Sequence, residues 1–384
     1  MSAENNENSF RPVRIGMVGG GPGAFIGAVH RMAMALDGRY QLVAGAFSSS
    51  AEKSRETGRE LGLDPTRAYA SWPEMIEAEA KLPADQRIEA ISIVTPNHVH
   101  HGPAVAALQA GFHVICDKPL TISSALAKEI AAAVESSGCL FALTHNYTGY
   151  PMIREARELV RGGGIGRVLK IYVEYLQGWL VDPLEESGQK QADWRTDPAR
   201  SGPGGALGDI GTHAFQLMEH VSGEKVTRLF GHRSSFVATR KVDDDAMVLL
   251  EFESGANGCL SASQVCSGRE NGLRLRIYGS EGGVEWEQEN PNDLRVLHKD
   301  GATELRRTGN GYVGAGSASL TRLPAGHPEG YLEGFANIYT AFARAIRGEE
   351  NLQQAYPSVE EGQRGVHFIE SVIASAEQAK WLDF

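Results

Sequence analysis

The chain has 384 residues, which is too long for one compact core and predicts two domains. Its 42% hydrophobic and 22% charged residues are typical of a globular protein, and no apolar stretch is long enough to span a bilayer. A formal net charge of -11 argues against nucleic acid as a partner, because the phosphates would repel the chain.

The first eleven residues, 1–11, are polar and lack the apolar core of a signal peptide, so we expect a flexible tail. The four cysteines include no Cys-x-x-Cys pair, which indicates free thiols in a reducing cytoplasm. The histidines at 98, 100 and 101 lack companion ligands at plausible spacing, and Asp243–Asp245 is interpreted as a solvated turn. We therefore expect no metal site.

Residues 12–145 alternate short apolar runs with helical patterns. Buried strands that alternate with helices predict an α/β domain with a doubly wound parallel sheet. The expected strands are Val13–Val18, Leu42–Phe47, Ile88–Val94, Phe112–Cys116 and Leu140–Thr144, and the expected helices are Ala24–Leu36, Ala51–Leu61, Val105–Ala110 and Ser123–Ser136.

Residues 146–384 change pattern, since strands there follow one another without helices between them. This predicts an α+β domain with a large, mostly antiparallel open sheet. The expected strands are Val168–Leu176, Thr227–Val237, Ala246–Phe252, Gly258–Val265, Leu273–Ile277, Gly283–Trp286 and Leu294–Leu297, and the expected helices are Ile153–Val160, Leu207–His220, Leu332–Ile346 and Val359–Ala379. The segments Gly178–Gly205 and Gly301–Gly326 are predicted to be irregular.

A glycine-rich turn follows the first expected strand and precedes a helix. Its candidate cofactor contacts are Gly19, Gly21, Pro22 and Gly23, with either Gly23 or Gly27 as the later glycine of the fingerprint. Glycines let the backbone approach a pyrophosphate, and the helix N-terminus offers N–H groups to it. The position after a strand and before a helix makes this a Rossmann-type dinucleotide site.

The second expected strand ends without the acid that usually holds the adenosine ribose. Ser48 and Ser49 stand there instead, with Lys53 nearby. Serine hydroxyls suit the ribose of NAD, whereas the missing carboxylate leaves NADP open. Thr95 and Asn97 follow the Ile88–Val94 strand at the same edge and are candidate contacts for the nicotinamide half.

Three residues are candidates for proton chemistry. Lys118 follows a buried strand, where doubly wound sheets bind ligands, although an ordinary surface Lys-Pro turn would look the same. Asp209 and His213 are four residues apart on one expected helix and so share a face, although they could equally be a helix-start acid and a core histidine. His213 would act as general base, oriented or made more basic by Asp209, and Lys118 would stabilise the developing oxyanion.

Five motifs together resemble the glucose–fructose oxidoreductase/inositol dehydrogenase/rhizopine-catabolism (Gfo/Idh/MocA) family over nearly the whole chain. They are Thr95–His100, Ala110–Val114, Asp117–Leu120, Asp193–Pro198 and Gly205–His213. The family usually has glutamate where this chain has Asp117, and the peptide bond before the following proline is often cis.

The resemblance implies catalytic roles for Lys118, Asp209 and His213, and a cofactor site that also includes His100, Asp117, Lys118, Trp194 and Arg195. It also implies a homo-oligomer, a tetramer. The candidate substrate contacts are Lys118, Tyr147, Tyr175, Arg195, Asp209, His213 and His327. Ordinary strand packing is the alternative for Tyr175 and its neighbour Tyr172.

The expected function is NAD-dependent oxidation of a secondary hydroxyl of a cyclic polyol, an inositol of the scyllo or myo form. An aldose 1-dehydrogenase that forms a lactone is the near alternative. The sequence also leaves open a glycosidase that acts through transient oxidation and a non-catalytic NAD-sensing regulator.

Overall fold

The computed structural model describes residues 11–349 and 355–384 and divides the chain into two compact units. Most of the predicted 1–11 tail lies outside the described residues. The first unit holds the chain up to Thr121, Ala125–Thr144 and Phe335–Gln363; the second holds Ile122–Ser124, His145–Gly334 and Arg364–Phe384. The first unit ends at Thr144 and takes in the segment 335–363, whereas the sequence pattern predicts a boundary after residue 145 and assigns 335–363 to the second domain.

The first half of the chain forms five strands with helices between them. In chain order these elements are β1 Val13–Gly19, α1 Phe25–Leu36, β2 Tyr40–Ala46, α2 Ala51–Glu60, α3 Trp72–Ala80, β3 Ala90–Val94, α4 His101–Gln109, β4 His113–Cys116, α5 Ser124–Ser137 and β5 Phe141–Leu143. All pairings are parallel, in the order β2-β1-β3-β4-β5. The predicted doubly wound sheet is confirmed.

Helix α3 is absent from the predicted elements, although its start carries a recognisable signal. Ser71 caps the helix by accepting a hydrogen bond from Glu74 N, Pro73 lies in the first turn, and the Glu74 carboxylate accepts from Ala70 N. A serine followed three residues later by glutamate is the sequence pattern of a capping box, although Glu74 here accepts from Ala70 N rather than from the backbone N–H of the N-cap Ser71.

The strand order reverses direction at β1 and β3. Ligands of doubly wound sheets bind at such a switch point, beyond the carboxyl ends of the strands. The glycine turn after β1, the Thr95–Asn97 loop after β3 and Lys118 after β4 all lie at this carboxyl edge.

The rest of the chain builds one nine-stranded sheet and its covering helices. The elements are α6 Pro151–Arg161, β6 Val168–Leu176, α7 Lys190–Arg195, α8 Pro198–Ser201, α9 Thr212–Ser222, β7 Val226–Ser234, β8 Asp245–Phe252, β9 Asn257–Ser263, β10 Gly272–Gly279, β11 Gly282–Glu287, β12 Asp293–His298, β13 Thr303–Arg307, α10 Ala315–Ser319, α11 Tyr331–Ile346, α12 Val359–Gln378 and β14 Leu382–Asp383. The order is β13-β12-β11-β10-β6-β9-β8-β7-β14, antiparallel except for β6 with β9.

The mostly antiparallel open sheet is therefore confirmed, with two edge strands that were not predicted. Strand β13 lies in the Gly301–Gly326 segment, and β14 pairs with β7 near the end of the chain. Both are short or alternate exposed with half-buried residues, so their apolar signal is weak.

One face of this sheet is buried and the other is open. On β8, Val248 and Leu250 belong to the core, together with Phe215 and Phe368 of α9 and α12. Met247 and Leu249 alternate with them and are 58% and 51% exposed. Within the described residues, no helix is both long and apolar enough to cross a membrane.

The chain enters α9 through one turn of π-helix, Leu207–Gly211. The buried Asp243 carboxylate accepts hydrogen bonds from Gly205 N and Leu207 N, which holds the start of this turn. A Cβ on Gly205 would lie 2.0 Å from the Asp243 carbonyl oxygen, so glycine is required there. The interpretation of Asp243–Asp245 as a solvated turn was wrong, because Asp243 and Asp244 are buried and hydrogen-bonded.

Candidate active site

The glycine turn between β1 and α1 holds the backbone where side chains would not fit. Gly19 and Gly23 have φ of +88° and +73°, a region that favours glycine. A Cβ on Gly21 would lie 2.7 Å from the Phe47 carbonyl oxygen, and one on Gly27 would lie 2.3 Å from the backbone of the turn. Gly23 therefore shapes the turn, whereas Gly27 packs the helix against it.

Helix α1 starts directly at this turn. Its N-cap residue is Ala24, which has no side-chain oxygen to cap the first N–H groups. N–H groups and the helix dipole at such a start attract phosphate. The turn fits the pyrophosphate of a dinucleotide, and Gly19, Gly21, Pro22 and Gly23 remain the predicted contacts.

The serines after β2 build the start of α2. Ser48 Oγ accepts from Ser50 N at 3.1 Å, and Ser50 Oγ accepts from Lys53 N at 3.4 Å. The side chains of Ser49 and Lys53 are exposed. Hydroxyl and ammonium donors at this position suit ribose oxygens, and these contacts remain predictions.

His100 lies between the two loops that follow β3 and β4. Its Nε2 is 2.8 Å from the Thr95 carbonyl oxygen and its Nδ1 is 2.9 Å from the Pro119 carbonyl oxygen. The ring has no exposed surface, so it supports both loops rather than presenting itself to a ligand, which differs from the cofactor contact implied by the resemblance. The Lys118–Pro119 peptide bond is cis, as the resemblance implies.

Asp117 is anchored within the first unit, directly before Lys118. Thr144 Oγ1 donates to Asp117 Oδ1 at 2.7 Å, and His30 Nε2 lies 3.7 Å from the same oxygen. Burial raises the pKa of the Asp117 carboxyl, but His30, Lys118 and Thr144 together outweigh burial and hold this pKa well below its usual range. A short, ionised carboxylate is thus held at the base of Lys118.

In the second unit, Asp209 is fixed by a cation and an amide. Its Oδ2 accepts from Arg195 Nε at 3.2 Å and from Gln264 Nε2 at 3.0 Å. Arg195 in turn stacks on Trp194, with its guanidinium carbon 4.3 Å from the ring centroid, and donates to Gln191 Oε1. The orientation of this carboxylate is set by these partners.

His213 is buried among aromatic rings. Its Nδ1 lies 3.5 Å from Nδ1 of His145, and its ring centroid is 4.9 Å from Tyr147 and 6.2 Å from Tyr175. These rings restrict the imidazole to one orientation, which a general base requires.

Tyr147 and Tyr175 form a hydrogen-bonded pair next to His213, and their role as substrate contacts remains a prediction. Both are 3% exposed, and their hydroxyl oxygens lie 2.5 Å apart. Tyr175 donates to Asn271 Oδ1 at 2.6 Å, and Asn271 Nδ2 donates to the Tyr147 hydroxyl at 3.3 Å. The two tyrosine rings thus pack on His213, and Asn271 fixes the positions of their hydroxyls. Tyr172 faces the other side of the sheet and packs on Tyr278.

The candidate His327 is not joined to this network. Its side chain is exposed, and its Nδ1 lies 3.2 Å from the carbonyl oxygen of Pro324 in its own loop. Its role in substrate binding remains a prediction.

Sequence reasoning missed His145, Gln177, Gln264 and Asn271. Each of them follows or precedes a strand by one or two residues. Amides at strand ends are common in turns, so a single sequence offers no signal that distinguishes these from turn residues.

Comparison with known proteins identifies the family of the chain. Residues 13–145 match the model of an oxidoreductase family with an NAD-binding Rossmann fold, and residues 153–285 match the GFO/IDH/MocA C-terminal domain. The chain belongs to the GFO/IDH/MocA oxidoreductase family. The family predicted from the five motifs, the oxidoreductase assignment and NAD as cofactor are confirmed.

Two relatives and one solved structure match this GFO/IDH/MocA member over nearly their whole length. It is 36% identical to the uncharacterized oxidoreductase YfiI of Bacillus subtilis, over 97% of each chain. An inositol dehydrogenase homologue from Azotobacter vinelandii, crystallised with NADH and myo-inositol, is 34% identical with a TM-score of 0.91, over 98% of this chain and 99% of that one. Levoglucosan dehydrogenase of Pseudarthrobacter phenanthrenivorans is 27% identical over 97% of this chain and 98% of that protein.

Proposed function

We propose that this oxidoreductase converts a secondary hydroxyl of a cyclic polyol, an inositol of the myo or scyllo form, to the ketone. The observation that carries the proposal is that the second unit holds a buried imidazole, His213, four residues along the chain from a carboxylate, Asp209, that Arg195 and Gln264 hold in place. Aromatic surface beside hydrogen-bonding groups suits a hydroxylated ring. The likeness to a homologue crystallised with myo-inositol supports the same ligand class.

Each candidate residue has a distinct part in this reaction. His213 accepts the proton of the substrate hydroxyl as general base. Lys118 donates a hydrogen bond to the same oxygen and stabilises its developing negative charge. Asp209 adds a negative charge on the same helical segment, which favours the protonated imidazole. NAD, when bound, supplies the acceptor for the hydride that leaves the carbon.

The first unit would hold the cofactor through backbone and hydroxyl groups. Gly19, Gly21 and Gly23 admit the pyrophosphate to the start of α1. Ser48, Ser49 and Lys53 would bind the ribose, and Thr95, Asn97 and Asp117 would line the nicotinamide side. Trp194 and Arg195 are further proposed cofactor contacts. NAD is confirmed as the cofactor, and these residues are its proposed contacts.

A pyranose is the second candidate substrate, with oxidation at carbon 1 giving a lactone. The likeness to levoglucosan dehydrogenase, an enzyme named for an anhydrosugar, favours it. The same base and the same oxyanion donor would serve this reaction, because a ring hydroxyl is deprotonated in both.

The direct test mixes the purified enzyme with NAD and a panel of inositols and aldoses, and follows absorbance at the reduced nicotinamide band. We expect NADH with at least one inositol. NADH with aldoses alone replaces the first candidate by the second. Cofactor that does not exchange, together with free sugar released from glycosides, would identify a glycosidase, and no chemistry with any compound would leave an NAD-sensing regulator.

We also propose that the enzyme is a homo-oligomer, a tetramer, in a reducing cytoplasm. The open face of the nine-stranded sheet exposes Met247 and Leu249, where an outward-facing strand usually carries polar residues. A second copy of the same sheet would cover them. The four cysteines are all unpaired, which suits a reducing compartment.

A further inference from the structure

Three carboxamides meet at one end of three neighbouring strands of the nine-stranded sheet. Gln177 follows β6, Gln264 follows β9, and Asn271 precedes β10. Because β9 runs parallel to β6 and β10 runs antiparallel to it, these three positions fall at the same end. We call Gln177, Gln264 and Asn271 the amide row.

The donor and acceptor roles in the amide row follow from its two ends. Trp179 Nε1 can only donate, and it lies 3.0 Å from Gln177 Oε1, which fixes that oxygen as acceptor. Gln177 Nε2 must then donate, to Asn271 Oδ1 at 2.9 Å. At the other end the Asp209 carboxylate only accepts, so Gln264 turns its Nε2 toward it at 3.0 Å.

The same logic assigns the two tyrosine protons. Asn271 Oδ1 accepts from Tyr175 at 2.6 Å, so Asn271 Nδ2 faces the Tyr147 hydroxyl. Since Tyr175 has given its only proton to Asn271, Tyr147 donates to Tyr175 across their 2.5 Å contact. Neither tyrosine has a proton left for a ligand.

The groups that remain define what the amide row presents. Gln177 and Asn271 each keep one N–H that no hydrogen bond to another residue within 11–349 and 355–384 uses, and Gln264 keeps its Oε1. Gln177 and Asn271 are only partly buried, whereas Gln264 is 2% exposed. The row runs from Asp209 to the tyrosine rings that pack on His213, so these groups lie beside the proposed base.

We propose that the amide row determines substrate specificity: Gln177 and Asn271 each donate a hydrogen bond to a hydroxyl oxygen on the substrate ring, and Gln264 accepts one from a third hydroxyl. A substrate hydroxyl can act as either donor or acceptor, whereas a substrate carboxylate would be repelled by the Gln264 and Asp209 oxygens. The substrate class is therefore a neutral ring with several free hydroxyls. This inference rests on the proposed function, whose base and carboxylate the row connects.

The test compares the best polyol of the panel with its single-deoxy analogues. Asn271→Asp keeps the shape and the accepting oxygen but removes the N–H, and Gln177→Met removes the other donor without adding charge. For each variant we expect kcat/KM to fall about 10–100-fold on the full polyol. On the one analogue that lacks the hydroxyl bound by the substituted residue, the variant and the wild-type enzyme should have the same kcat/KM. Asn257→Asp, at the opposite end of β9, is the matched control and should leave kcat/KM unchanged for the polyol and all its analogues.

A merely structural role would lower kcat/KM equally for the polyol and all its analogues, and that result, or no loss at all, overturns the inference while the proposed function stands. Thermal melting checks that each variant folds, and Gln177→Met carries the test if Asn271→Asp does not. No oxidation of any polyol by the wild-type enzyme overturns the proposed function and this inference with it.

Discussion

At the scale of single residues, the site depends on groups whose freedom is removed by their neighbours. Asp117 is held by Thr144, Asp209 by Arg195, and His213 by the rings around it. A catalytic group that is already oriented loses no further freedom when substrate binds, which lowers the barrier to the chemical step.

Lys118 gives the sharpest residue-level prediction. Lys118→Ala removes the proposed oxyanion donor, so kcat should fall by about 100–1,000-fold, the usual cost of losing such a donor. NAD affinity, measured by calorimetry, should stay close to wild type. Lys128→Ala, an exposed lysine on α5, is the control. Unchanged turnover in Lys118→Ala would remove this residue from the mechanism.

Gly21 tests the cofactor turn. Gly21→Ala places a Cβ 2.7 Å from the Phe47 carbonyl oxygen, and a backbone atom cannot move aside without shifting β2. We expect NAD affinity to fall at least about 10-fold, since a displacement of this size costs more than 1.4 kcal/mol. Gly311→Ala, whose Cβ meets nothing within 4 Å, should bind NAD normally. Equal affinity in both variants would contradict the close-approach role.

At the scale of elements, the segment after α11 is tied to the first unit by one carboxylate. Glu89 accepts from Arg347 at 2.8 Å, from Arg11 at 2.8 Å and from Arg14 N at 3.0 Å. Burial raises the pKa of Glu89, but these hydrogen bonds outweigh burial and lower it to about 2. The stabilisation is complete above the ordinary glutamate pKa and is lost as pH falls toward 2.

Glu89→Gln should therefore destabilise the protein near neutral pH, by about 1.5–3 kcal/mol, the range for hydrogen bonds to charged groups. The melting temperature of the variant should also change less than that of wild type between pH 4.5 and 2. Glu77→Gln is the control, because the Glu77–Lys81 pair is exposed and contributes little. Parallel melting curves for Glu89→Gln and wild type across this pH range would refute the account.

Elements were predicted where their signal is local. Strand β3 has the sequence Ala-Ile-Ser-Ile-Val, a mostly apolar run that is buried along its whole length. The glycine turn is recognised from the strand before it and the helix after it. The amide row could not be predicted, because Gln177 and Asn271 are 94 residues apart and meet only through strand register. Tyr147 and Tyr175 were placed at the site, but which way their protons point depends on Asn271.

At the scale of the whole molecule, the open face of the sheet predicts the assembly. Met247→Asp combined with Leu249→Asp puts charge on the apolar strip of β8, so the proposed tetramer should dissociate to smaller species. Size-exclusion chromatography with light scattering measures this. Leu36→Asp, an equally exposed leucine on α1, should leave the mass unchanged. A wild-type monomer, or no change in the double variant, would rule out this face as the interface.

Residues 335–363 belong to the first unit, although they are translated long after its parallel strands. Tyr339 is buried there, where its hydroxyl meets His30 and Ser92, and Pro357 accepts a hydrogen bond from Leu143 N. When the first 145 residues have left the ribosome, all five strands of the parallel sheet have been synthesised. The segment that completes the core of the unit has not. We therefore expect this unit to reach its final packing only when translation is nearly finished, and chaperones to bind the apolar surface that a shorter nascent chain exposes.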